Sequence, residues 1–307
     1  MNSPLLREPR GQRPAPTPDA PGRAVETREL TKRFGRTDAL RGLTMQVPAG
    51  SVYGLLGRNG AGKSTLMQLL LGLLEPSGGA VRVLGRDPVR DGVDLRQRLG
   101  YIPERLPMYE WMTIAQTLRF VAAQYRTWSL PTENALLAKF RLPRERRVRE
   151  LSRGQRALLA LILAMAHDPE LVLLDECTSG MDVLARAEFD RSVIDALHES
   201  GRTVLFASHQ IRELERLCDW VGILHEGRML LQMPVEELKA SVKMLRLGAG
   251  VESLPGLTIL ERRRLGREWL LTVRGWTDAP GAPALEVIDL TLEEIFAALV
   301  SHQEAQP

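Results

Sequence analysis

The chain has 307 residues, 44% of them hydrophobic and 26% charged, with a formal net charge of +3. That balance belongs to a globular protein with room for one large domain and a small one, and it excludes a largely disordered chain. The basic excess is too small to argue for a nucleic-acid partner, and two cysteines, Cys177 and Cys218, are too few for a disulfide framework and fit a reducing cytosol.

Residues 1–23 are rich in Pro, Arg, Gly and Ser and carry no apolar run of the signal-peptide kind, so a disordered tail is expected there. From Ala24 short strand-like runs follow at 24–30, 43–47, 51–57 and 80–84. Others fall at 99–103, 171–175, 203–207, 219–224 and 228–232. Helical patterns lie at 62–74, 113–126, 132–140, 153–167, 182–200 and 210–217. The most apolar run, 157–166, is far short of the roughly 20 residues a membrane span needs. Strands alternating with helices argue an α/β core, a mostly parallel sheet covered on both faces. The early strands have no helices between them and suggest a separate antiparallel patch, while about 105–167 reads as a helical insertion. After 241 the style changes: short strands and turns at 244–249 and 257–274 precede a helix at 291–300, with Thr291 and Glu294 in capping-box spacing. Residues 24–241 are therefore expected to form one domain, and 242–307 a small α+β appendage.

Gly57-Arg58-Asn59-Gly60-Ala61-Gly62-Lys63-Ser64 matches the P-loop pattern G-x-x-x-x-G-K-[ST], with an apolar strand before it and a leucine-rich helix after it. Its glycines permit a tight loop whose N–H groups cradle phosphates. Lys63 would reach the β- and γ-phosphates of ATP, and the Ser64 hydroxyl would bind Mg²⁺. In LVLLDE, 171–176, a buried strand ends in two acids, at the end of the sheet where α/β proteins bind ligands. Asp175 is placed to hold Mg²⁺ and Glu176 to take a proton from an attacking water. His209, after the apolar run TVLFAS, could reach the same edge and orient that water. Ser152 and Gln155 in LSRGQ form a capping box before an apolar helix, and Gly154 allows close approach. The bland reading is a well-made helix start; the functional one is an anion site without its own lysine.

Taken together and in order, these motifs resemble the ATP-binding cassette (ABC) transporter ATPases over about 24–241. GRNGAGKST, which ends in Thr65, resembles the Walker A motif, and LVLLDE the Walker B. LSRGQ resembles the LSGGQ signature with Arg153 in place of the first glycine. SGMD, ending in Asp182, resembles the D-loop, and His209 the switch histidine. Phe34 in TKRFG matches the aromatic that stacks on adenine. The resemblance implies a RecA-like P-loop NTPase core with an antiparallel β subdomain and a helical subdomain. It also implies a head-to-tail dimer of cassettes, with each ATP on the Walker A of one subunit and under Ser152, Gly154 and Gln155 of the other. With no span of its own, the chain would sit at the cytoplasmic face of the cell membrane against a separate permease.

Two positions depart from the family pattern. Glu104 stands where a glutamine is usual, and either ligates Mg²⁺ or senses the permease. Cys177 replaces a proline, which loosens a turn, and is expected to serve packing, with redox sensing as the alternative. Leu106, Met108, Tyr109, Trp111 and Met112 offer either a socket for a permease helix or ordinary subdomain core, and the Arg-rich 141–149 reads as a solvated linker, with a phosphate or lipid contact as the alternative. GYIPERLPMYEWMT and TLEEIFAALV resemble segments of ABC-2 type exporter ATPases. The competing readings are a soluble ABC protein of the ribosome-factor or repair kind, and a nucleotide switch with little hydrolysis. One P-loop and no sustained heptads argue against the first, and intact Lys63, Asp175, Glu176 and His209 against the second.

Overall fold

The computed structural model describes residues 22–178, 181, 186–187, 189, 191, 193, 202–248, 254, 256–277 and 284–305. The expected N-terminal tail, all but its last two residues, lies outside them, as do Asp182 and most of the helix expected at 182–200.

The described residues form three sheets with helices packed on them. The central one has six strands: β3 (Val52–Leu56), β5 (Leu99–Ile102), β6 (Leu171–Asp175), β7 (Thr203–Ser208), β8 (Trp220–His225) and β9 (Arg228–Pro234). Their order is β5-β6-β7-β3-β8-β9, all parallel except β9, which returns antiparallel to β8. β6 and β7 are buried at every position, so their sequences run apolar without alternation. Neighbouring residues nevertheless serve different layers. Leu171 and Leu173 join one core cluster, and Val172 and Leu174 the other.

Over the first face lies an antiparallel sheet in the order β2-β1-β4: β1 (Arg23–Phe34), β2 (Thr37–Pro48) and β4 (Gly78–Val83). β1 and β2 are twelve-residue strands joined at a tight turn, with Phe34 paired to Thr37. The apolar runs at 24–30 and 43–47 therefore capture only part of this hairpin. The remainder is mostly exposed or half-buried, Leu40 excepted, and carries little hydrophobic signal. Helix α1 (Lys63–Leu70) shares this core through Leu66, Met67, Leu69 and Leu70, and the short α2 (Gly92–Arg96) adds Leu95.

The opposite face is covered by helices. Between β5 and β6 the chain forms α3 (Ile114–Ala122), α4 (Leu130–Lys139), a 3₁₀ turn at Val148–Glu150 and α5 (Arg153–Met165). Thr113 and Ser152 each close a capping box at the head of α3 and α5, which satisfies two otherwise orphan N–H groups apiece. The buried Glu133 accepts hydrogen bonds from Trp128 Nε1 at 2.6 Å and Arg144 Nη2 at 2.5 Å, so α4 is tied to the Arg-rich 141–149 segment. That segment is thus partly structural rather than only solvated. Helices α6 (Ile211–Leu217) and α7 (Val235–Ser241) also lie on this side.

The C-terminal region holds a four-stranded antiparallel sheet in the order β11-β12-β10-β13: β10 (Val242–Leu247), β11 (Thr258–Leu265), β12 (Glu268–Arg274) and β13 (Ala284–Asp289). It has its own small core around Leu245, Leu247, Leu271 and Val273. The last helix, α8 (Leu292–Glu304), does not stay with that core. Leu292, Ile295, Ala298 and Leu299 pack in the same cluster as Leu214, Val221 and Ile223 of the central sheet side.

Candidate active site

The P-loop joins β3 to α1. Gly57 and Gly62 are required by space: a Cβ on Gly57 would lie 2.7 Å from the Leu224 carbonyl, and one on Gly62, at φ +110°, would lie 2.7 Å from that of Ala39. Arg58, Asn59 and Gly60 form the exposed crest, and Ala61 is buried beneath it. Gly62 is the N-cap of α1, so the first N–H groups of that helix, including those of Lys63, Ser64 and Thr65, have no partner one turn back. They offer an anion the positive end of a helix dipole.

Sheet order sets the rest of the site. β7 lies between β3 and β6, so Ser208 and His209 at the end of β7 stand between the P-loop and the acids that end β6. The Ser64 hydroxyl donates to Asp175 Oδ1 at 3.2 Å. Lys63 is buried; its ammonium donates to the carbonyls of Gly57 at 2.6 Å and Arg58 at 3.2 Å and lies 3.0 Å from Glu176 Oε1. Glu176 Oε2 is 2.5 Å from His209 Nδ1. Glu176 Oε1 is buried and accepts no aligned hydrogen bond among the described residues, so it keeps acceptor capacity.

Glu176 sits at φ +50°, a left-handed conformation that costs a non-glycine residue on the order of 1 kcal/mol or more and tends to cluster at functional sites. Its N–H donates to Ala207 O at 3.0 Å, which fixes the turn. Cys177 follows with its side chain in the hydrophobic core, in line with packing. Burial raises the Asp175 carboxyl above its ordinary range; the Ser64 hydrogen bond opposes this, the charges of Glu176 and Glu104 add to it, and Lys63 opposes it. Tyr101 on β5 shares this environment. Its hydroxyl is pushed up to about 12, chiefly by burial and then by Asp175. Nothing in the local sequence around Tyr101 marks it as a neighbour of Asp175.

The residues suit Mg²⁺. Ser64 and Asp175 present two hard oxygen donors side by side, and Mg²⁺ commonly takes one or two protein oxygens together with water and substrate phosphates. Among the described residues no cluster of three or more His, Cys, Asp or Glu forms a closed metal cage.

Phe34, Ser152, Gly154, Gln155 and Glu104 share no side-chain hydrogen bond with this cluster among the described residues, and Asp182 lies outside those residues. Phe34 ends β1, 46% exposed, with the Lys32 ammonium 5.0 Å over its ring. Ser152 Oγ accepts from Gln155 N at 3.2 Å and Gln155 Oε1 from Ser152 N at 3.1 Å, so among the described residues their side-chain bonds stay within the α5 cap. Gly154 is buried, while Ser152 and Arg153 are exposed. Glu104 is exposed after β5 and is felt by Asp175 only as charge. The proposed socket divides: Leu106 and Met108 pack against the core, whereas Tyr109 and Trp111 are 54% and 61% exposed. Phe120, absent from the sequence reading, joins them with its ring 5.8 Å from that of Tyr109.

Sheet topology, P-loop and the Lys63–Glu176–His209 contacts define a P-loop ATPase with a RecA-like core. Residues 40–179 match the family model described as ABC transporter. The chain is 33% identical over 216 residues to bacitracin transport ATP-binding protein BcrA of Enterococcus faecalis, covering 70% of each chain. It is 35% identical over 234 residues to daunorubicin/doxorubicin resistance ATP-binding protein DrrA of Streptomyces peucetius, covering 74% of this chain and 71% of that one. A solved ATP-binding subunit of an ABC transporter superposes with a TM-score of 0.64 at 28% identity, over 70% of this chain and 92% of that one. CbiO1 of Clostridium perfringens gives 0.63 at 27% identity, over 71% and 90%. The chain belongs to the ATP-binding proteins of ABC transporters, and its activity is ATP hydrolysis coupled to transport.

Proposed function

We propose that this ATPase drives export, as one of a pair of cassettes at the cytoplasmic face of the membrane, coupled to a separately encoded permease. The relatives named for bacitracin transport and for daunorubicin/doxorubicin resistance support export over import. No helix among the described residues is long and apolar enough to cross a membrane, which supports a separate permease as partner.

The observation that carries the chemistry is the chain of contacts Lys63–Glu176–His209 beside the Ser64–Asp175 pair. Lys63 and the N–H groups of α1 bind the phosphates of ATP, and Phe34 stacks on the base. Ser64 and Asp175 would hold Mg²⁺, whose charge would offset that of the phosphates. Glu176 takes the proton from the attacking water through Oε1, and His209, held on Oε2, orients the carboxylate. Ser152, Gly154 and Gln155 close over the γ-phosphate of the partner cassette with the free N–H end of α5, which explains a phosphate site that has no lysine of its own. Asp182 is assigned to the same interface. ATP thus favours the closed pair, and hydrolysis releases it. The exposed rings of Tyr109, Trp111 and Phe120 provide the surface on which a permease helix seats.

Glu176→Gln tests this. It keeps shape and hydrogen bonding but removes the base, so ATP binding is expected to persist, turnover to fall by at least about a hundredfold, and an ATP-dependent dimer to accumulate on size exclusion. Wild-type turnover in this variant would remove Glu176 as the base.

A further inference from the structure

The C-terminal helix ends against the P-loop. Helix α8 has 13 residues, about 20 Å of length, and its stripe Leu292, Ile295, Phe296 and Leu299 seats it on the central core. Seating brings both polar ends onto the catalytic domain. Near its start, Glu293 accepts from Arg212 Nε at 2.9 Å, on the helix that follows His209. At its last residue, Glu304 Oε1 accepts from Arg58 Nη1 at 3.2 Å and lies 4.0 Å from Nε2 of His225 at the end of β8.

Arg58 is a structural hub of the P-loop. Its carbonyl accepts from Lys63 Nζ and from Ala61 N, while its guanidinium is 68% exposed. A free guanidinium on the crest of a phosphate cradle would favour a bound polyanion. Glu304 instead draws that guanidinium to a carboxylate.

The geometry points to Glu304 as a positioning residue that competes with nucleotide phosphates for Arg58, so that the seating of the C-terminal helix sets the affinity of the site for ATP. This rests on the P-loop being the ATP site. Residues 58 and 304 are joined because α8 packs on the cassette as well as on β11 of its own sheet, and a shift of that helix would change the field at the phosphates without touching Lys63, Asp175 or Glu176. The effect belongs to ground-state binding, so it should appear in KM and leave kcat alone.

The test uses the full chain, with displacement of trinitrophenyl-ATP by ATP and steady-state hydrolysis in parallel. Glu304→Gln is expected to tighten ATP binding about threefold, within what an exposed ion pair can supply, with kcat within about twofold of wild type. Glu304→Asp should restore most of the wild-type affinity. In an Arg58→Gln background, Glu304→Gln should have no effect on affinity. Equal affinity of Glu304→Gln and wild type would overturn the inference, as would the same gain in the Arg58→Gln background. A matching gain from Glu293→Gln, at the far end of α8, would also overturn it, because general loosening of the helix would then suffice. If the wild type itself failed to displace the probe, the nucleotide reading of the P-loop would fall along with it.

Discussion

At the scale of single residues, the site is a small set of charges whose balance is set by burial. Lys63 and Glu176 form an ion pair at 3.0 Å, and Lys63 is only 5% exposed. A triphosphate offers that lysine a stronger anion than one carboxylate, and its transfer would release Glu176 Oε1 for a water proton. Glu104 bears on this balance from a distance: it raises the Asp175 pKa through charge and shows no side-chain hydrogen bond among the described residues. Glu104→Gln is therefore expected to keep basal hydrolysis within about tenfold of wild type, a barrier change of about 1.4 kcal/mol or less. Complete loss of phosphate release in a steady-state assay would make Glu104 a required ligand. The P-loop, Asp175, Glu176 and His209 were legible as residues because each ends an apolar strand or fills a fixed spacing. Tyr101 and Glu304 were not, since nothing local distinguishes a tyrosine or glutamate that reaches the site through the fold.

At the scale of elements, α5 makes the clearest case. Its sequence dictates a capped helix, and the two hydrogen bonds of the Ser152–Gln155 box are both present. The cap leaves Ser152 exposed at the helix end, and among the described residues of one chain it shares no hydrogen bond with the P-loop. A trans role follows if the helix end serves a second copy. Ser152→Arg places a bulky cation there, so ATP binding by the monomer should be unchanged and ATP-driven dimerisation of the Glu176→Gln form blocked, as read by light scattering. Normal dimerisation would defeat the trans assignment. The β1–β2 hairpin shows the opposite limit. Its two strands run twelve residues each, yet only the apolar stretches 24–30 and 43–47 announce a strand, and the buried Leu40 lies outside both.

At the scale of the whole molecule, the two faces of the central sheet serve different purposes. One carries the antiparallel sheet and α1, the other the helices and, finally, α8. The amphipathic pattern of 291–300 predicts a helix with an apolar stripe, and Thr291 with Glu294 predicts where it begins. The partner of that stripe was invisible, because periodicity records that a face is buried and not against what. Since Ile295 is fully buried in the main core, Ile295→Ala should cost about 2–5 kcal/mol in urea unfolding of the cassette. A loss confined to the C-terminal sheet, with the cassette transition unmoved, would show that α8 contributes little to the cassette.

By itself the sequence determined the nature of the chemistry. P-loop glycines, a lysine, two acids at a strand end and a capped helix are local devices, and local spacing is enough to specify them. Tertiary structure alone decided which of them meet. Strand order β6-β7-β3 sets His209 between Glu176 and the P-loop, whereas chain order would place it last. The same packing carries residue 304 back to residue 58, because an apolar stripe lowers its free energy by leaving water wherever a complementary face is available, regardless of distance along the chain.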